Sequence, residues 1–174
     1  MLVAPAVASS SIRRVGDGNV GRCRRRLGES ADYSVVMILP GTARDVLLSG
    51  ALAHLVTINP DGSPQVSCVW VGLDGDEIVS AHLNRSQRKL QNIARDPRVV
   101  LSIEATEANA IGMRHYLVVR GKARITEGGA PELLQQLAYT YVGPDAVFPP
   151  MADPPPGAIV HIEPASLGGI GPWV

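Results

Sequence analysis

From residue 42 onward, apolar and polar positions fall into short, regular runs. Thr42 is placed to cap a short helix running to Ser49, with Val46, Leu47 and Leu48 turned inward. "ALAHLVTI" (51–58) reads as a strand, and "NPDGSP" (59–64) is dense in turn formers. "QVSCVWVGL" (65–73) is rich in β-branched residues and predicts a second strand. The tight connection "DGD" (74–76) then leads into a return strand, "EIVSAHL" (77–83). Over 86–95 the period changes to a helical one, with Ser86 as N-cap, Leu90, Ile93 and Ala94 on one side, and Pro97 as the stop.

The second half continues in the same way. "RVVLSIEA" (98–105) and "HYLVVRGKARITE" (115–127) predict strands, with Gly121 marking a bulge or bend in the longer one. "APELLQQLAYTYV" (130–142) predicts a helix with Pro131 in its first turn. "VFPPMADPPP" (147–156) is a stiff loop, and residues 157–174 give a last strand and a tail. Six strands joined mostly by tight turns, with three short helices, predict a small closed or partly open antiparallel barrel, a mainly β (α+β) fold. Strand and helix do not alternate throughout, which argues against a Rossmann domain.

Residues 1–36 lack any such period. They mix Gly, small residues and six arginines, and carry a net +3 against −3 for the remainder. Their apolar stretch, Leu2–Ala8, precedes the basic residues, the reverse of a signal peptide. The expectation is a disordered or mis-annotated extension over 1–36, with a transit peptide as the alternative, and one domain over 37–174 starting near Met37.

Composition narrows the function. The 174-residue chain is 45% hydrophobic and 18% charged, as expected of a globular domain. A mildly acidic body argues against nucleic-acid binding, and no apolar run reaches the ~18 residues of a membrane span. Cys23 and Cys68 stand alone, which fits a reducing compartment, the cytoplasm. No His, Cys or carboxylate falls at metal-ligand spacing, and no Ser-His-Asp arrangement is visible. Of the four histidines, His54 and His161 read as structural, whereas His82 ends the return strand and could face a ligand. Fourteen arginines against two lysines point to a GC-rich, bacterial genome.

One of those lysines, Lys89, sits among Arg85, Ser86, Gln87, Arg88 and Asn92. That stretch is either a solvated helix face or a site for an anion. A helix N-terminus with unpaired N–H groups and nearby cations suits a phosphate.

The segments "LVTINPDGSPQVSCVWVGLDGDEIVSA" (55–81), "QRKLQNIARDPRVVLSI" (87–103) and "YLVVRGKARIT" (116–126), in this order, resemble the pyridoxamine-phosphate-oxidase-like family. More narrowly they resemble its bacterial branch that uses the deazaflavin coenzyme F420 in place of FMN. The resemblance implies the FMN-binding split barrel, a homodimer, and a cofactor lying in a groove between subunits. It implies that the cofactor phosphate meets Arg85, Ser86, Gln87, Lys89 and Asn92. Many relatives carry a basic residue where this chain has Gln87, so Arg85 or Arg88 would take that role. The ring would lie along Ser67, Cys68, Val69, Trp70, Ser80 and Ala81, with Trp173 of the tail supplied across the dimer. Trp70 could instead simply fill the core. The implied function is an F420-dependent oxidoreductase transferring a hydride to a small organic acceptor, with no catalytic side chain assigned. The alternatives are an FMN-dependent or pyridoxamine-phosphate-oxidase-like enzyme, or a flavin- or deazaflavin-binding protein without turnover.

Overall fold

The computed structural model describes residues 37–173, so the expectation for residues 1–36 lies outside it. Its elements are α1 (Gly41–Leu47), β1 (Ala53–Ile58), β2 (Pro64–Val69), β3 (Gly72–Asp74), β4 (Glu77–His82) and α2 (Arg88–Arg95), then β5 (Arg98–Ala108), β6 (Arg114–Glu127), α3 (Ala130–Tyr141) and β7 (Ala158–Ile170). Seven antiparallel strands form one sheet in the order β2-β1-β5-β6-β7-β4-β3. The two edge strands, β2 and β3, are joined only through Trp70 and Val71. The sheet therefore curls back on itself and is split at one corner, which is the split-barrel form of the expected α+β fold.

The expected single strand over 65–73 is two strands, making seven rather than six. β2 pairs with β1 and β3 pairs with β4, so the chain must change partners at residues 70–71. Tyr141 from α3 fixes this corner: its hydroxyl accepts the Val71 N–H at 2.9 Å. Inside the barrel, alternate positions along much of β1, β5, β6 and β7 are inaccessible, among them Leu55, Leu101, Leu117, Val119 and Ile162, and Ile78 of β4 joins them. A bulge falls at Gly121, as expected, where β6 and β7 slip register. A Cβ there would lie 2.2 Å from the Glu163 carbonyl oxygen, so only glycine permits the approach.

Both proposed N-caps are displaced. Pro40 caps α1, and the Thr42 hydroxyl instead donates to the Pro172 carbonyl at 3.2 Å, tying down the tail. Gln87 caps α2. The Ser86 N–H and hydroxyl both bond Asn84 Oδ1, an Asx turn that outcompetes a helical start at Ser86. Leu48 follows the end of α1 and is 50% exposed; Ala94 lies on the open side of α2. The other apolar residues expected inward, Val46, Leu47, Leu90 and Ile93, are buried.

Candidate functional site

The split corner is also where some of the predicted site residues gather, among them Val69, Trp70, Ala81, Gln87 and Lys89. Beside it lies a cleft of about 260 Å³. Its floor and one wall come from β2 and the corner, through Cys68, Val69 and Trp70. β4 contributes Ala81 and His82, and the start of α2 contributes Gln87 and Lys89. Leu134 of α3 and Phe148 of the proline-rich loop close the apolar side.

Trp70 is only half-buried and does more than fill core. Its ring stacks on Tyr141, with centroids 5.2 Å apart and planes inclined 12°, and meets Phe148 at 5.1 Å and 53°. Gln135 holds Phe148 in place by accepting the Phe148 N–H at 3.0 Å and donating to the Ala146 carbonyl at 2.8 Å. The outcome is a rigid aromatic wall with one edge open to the cleft.

The polar side of the cleft is unsatisfied. Lys89 is half-buried, and burial pushes its ammonium pKa below the ordinary lysine value. Among the described residues no carboxylate lies within ion-pair distance of it. His82 is 6% exposed and its Nε2 has no partner. Burial, and secondarily the charge of Lys89, drives the His82 pKa down from 6.5 to about 4, so the imidazole is neutral at physiological pH. The Gln87 Oε1 is likewise buried and unpaired. Leu90 and Gln91 donate to the Gln87 carbonyl, while among the described residues no acceptor meets the N–H groups of Arg88 and Lys89. Unpaired buried polar atoms are costly, and a cluster of them around an unpaired cation is the signature of a site completed by a ligand.

The remaining predicted residues lie elsewhere. Asn92 is 1% exposed and turned away from the cleft; its amide donates to Thr57 Oγ1 at 3.0 Å and Asn59 Oδ1 at 3.1 Å. Ser67 belongs to the same network, since Thr57 donates to Gln65 Oε1 at 2.8 Å and Gln65 Nε2 donates to Ser67 Oγ at 3.1 Å. Ser80 is buried on the barrel-facing side of β4, its hydroxyl unpaired. Arg85 is exposed and paired with Glu127, and Ser86 is exposed on the loop. Arg88 is exposed and does not line the cleft; its charge adds only a small part to the lowering of the Asp61 carboxyl, which is mainly due to Ser63. Neither arginine joins Lys89.

Trp173 is buried at a second cavity, with His115 and α1 residues, and its Nε1 donates to the Gly168 carbonyl at 3.1 Å. It does not reach the cleft of its own chain. Sequence reasoning missed Leu134, Tyr141 and Phe148, which form the apolar wall from distant segments, and the Thr57–Gln65 link. Among the described residues no group of three or more His, Cys, Asp or Glu side chains is placed to hold a metal. No described helix is long and apolar enough to cross a membrane.

The family model described as pyridoxamine 5'-phosphate oxidase matches residues 39–169, and the chain belongs to that family. Among solved structures, an F420 reductase is 28% identical with a TM-score of 0.61, the alignment covering 74% of this chain and 97% of that one. A conserved hypothetical protein from Mycobacterium tuberculosis is 24% identical, TM-score 0.56, over 72% of this chain and 80% of that one. A heme binding protein from Mycobacterium smegmatis shares the fold at 20% identity and TM-score 0.55, over 74% of this chain and 52% of that one. Comparison with curated protein sequences returns no match.

Proposed function

We propose that this chain is an oxidoreductase that binds coenzyme F420 in the corner cleft and passes a hydride from its reduced ring to a small organic acceptor. The observation that carries this reading is the unpaired, half-buried Lys89 facing a cleft with a rigid aromatic wall and two orphaned polar atoms, His82 Nε2 and Gln87 Oε1. These groups fit the two ends of a phosphorylated flavin-type molecule: anion at the helix start, flat ring on the apolar side. Similarity to an F420 reductase supports the deazaflavin over FMN.

The protein's part is binding, orientation and exclusion of water. Lys89 and the free N–H groups of α2 hold the anion. Trp70, Val69 and Phe148 give the ring an apolar face, and neutral His82 offers one hydrogen bond at the cleft. The bound coenzyme would supply the hydride, two electrons and one hydrogen passing to the acceptor.

A cleft of about 260 Å³ is smaller than most sites for a molecule of this size. We take the missing part to come from a second copy, giving a homodimer. An outward apolar row supports this: Val66, Val56 and Val100 lie side by side across β2, β1 and β5, with Val66 57% exposed. β2 runs directly from this row into Val69 and the corner.

The test is a fluorescence titration of the purified chain with F420 and with FMN, followed by oxidation of the reduced, bound coenzyme with a panel of small acceptors. Saturable binding of F420 and acceptor-dependent oxidation are expected. Binding without oxidation by any acceptor would make the chain a carrier, and tight binding of FMN alone would make it a flavoprotein.

A further inference from the structure

We infer that the anion site of the cleft is built for a phosphodiester monoanion rather than a phosphomonoester dianion, and that Gln87 sets this limit. This rests on the reading that the cleft binds a phosphorylated flavin-type coenzyme. F420 carries its phosphate as a diester with one charge, FMN as a monoester with two at neutral pH.

The charge inventory is short. Lys89 from α2 is the one cation among the described residues that line the cleft. Arg85, three residues before α2, is paired with Glu127, and neither it nor the exposed Arg88 lines the cleft. From β4 the cleft receives His82, neutral above about pH 4. β2 supplies Cys68 and no charged group, and α3 and the proline-rich loop supply only Leu134 and Phe148. At the position beside Lys89 stands Gln87, whose amide oxygen is buried and unpaired.

One positive charge meets one negative charge here without remainder. Attraction to a single cation grows in proportion to ligand charge, whereas the cost of taking that charge out of water grows with its square. A second negative charge therefore enters a partly dry site with no cation to face it. The nearest group would be the Gln87 amide, which can turn either its NH2 or its oxygen toward the ligand and adds no charge. A monoanion needs nothing more than Lys89, the two free N–H groups of α2 and that amide.

Three probes with one ring separate charge from ring recognition: riboflavin, riboflavin 4′,5′-cyclic phosphate and FMN, titrated at pH 8, where the monoester is fully dianionic because its second pKa is ~6. The cyclic diester should bind roughly tenfold more tightly than FMN, the low end of the range for one charge-assisted hydrogen bond. At pH 5.5, where FMN is largely a monoanion and His82 is still neutral, the gap should close. Gln87→Arg should reverse the order at pH 8, with a thermal unfolding midpoint near the parent's as the check on its fold. FMN matching or exceeding the cyclic diester at pH 8 in the parent protein overturns the inference while leaving the coenzyme reading intact. So does a Gln87→Arg variant that unfolds at the parental midpoint but keeps the parental order. Failure of F420 and of all three flavins to bind would remove the coenzyme reading itself, and this inference with it.

Discussion

The Asn92 amide donates to the Thr57 hydroxyl at 3.0 Å, across 35 positions of sequence and in a fully buried setting. The Thr57 hydroxyl in turn donates to Gln65 Oε1, and Gln65 Nε2 donates to Ser67 Oγ, so one chain of hydrogen bonds ties α2 to β1 and β2. Asn92 is thus an anchor for the helix that presents Lys89.

Asn92→Ala should cost about 1–3 kcal/mol of stability, because it leaves the buried Thr57 hydroxyl and Asn59 short of a donor. It should also weaken coenzyme binding, as Lys89 and the α2 N–H groups lose their fixed position. Urea unfolding and a coenzyme titration on the same variant check both. Unchanged affinity with lowered stability would show that α2 keeps its place without this link.

Lys89→Ala should weaken F420 binding roughly 10- to 150-fold, the equivalent of the ~1.5–3 kcal/mol of a charge-assisted hydrogen bond. Stability should hold or rise slightly, since the substitution removes a partly desolvated, unpaired charge. Because Lys89 is half-buried, the effect should persist at high salt, unlike that of an exposed pair. Lys122, outside the cleft, serves as the control: Lys122→Ala should leave affinity unchanged. Isothermal titration at two salt concentrations measures all of this.

The strand pattern and the helix starts within a few residues were legible in the sequence, because the periodicity of those segments is strong. Val69, Trp70, Ala81, Gln87 and Lys89, which line one cleft, were grouped by the family resemblance and not by periodicity. What the sequence did not record involves partners far away in the chain. Spacing alone puts Asn92 near Lys89 on α2, yet Thr57 and Asn59 draw it inward, and no local pattern records that. The tail's Pro172 meets Thr42, 130 positions earlier, which is why Trp173 settles against α1. Phe148 lies in a loop whose prolines have no period, so nothing announced it as half of an aromatic wall. Ser86 failed as a cap for a local reason, the competing side chain of Asn84 two residues before it.

If a second copy covers the valine row, the purified chain should run as a dimer in light scattering. Val66→Asp places a charge on the exposed end of that row and should give monomers with weakened coenzyme binding, while the fold survives because Val66 is 57% exposed. A monomeric parent that still binds coenzyme tightly would show that one chain completes the cleft.

His82 gives the protein a pH dependence of known sign. Its folded pKa of about 4 lies below the ordinary 6.5, so the unfolded chain binds a proton that the folded chain refuses. Stability should therefore rise with pH between about 4 and 6.5 and flatten above; on acidification it should fall across that same window. A shift of this size corresponds to roughly 3 kcal/mol over the full window, at ~1.36 kcal/mol per pH unit. Asp96, whose carboxyl Arg98 holds down to about 2, loses its contribution only in more acidic solution, so the two windows separate. In His82→Gln the slope between pH 4 and 6.5 should vanish while stability at pH 8 stays near that of the parent. Urea midpoints at half-unit steps of pH, for parent and variant, decide it: an identical slope in both would mean that His82 does not carry the transition.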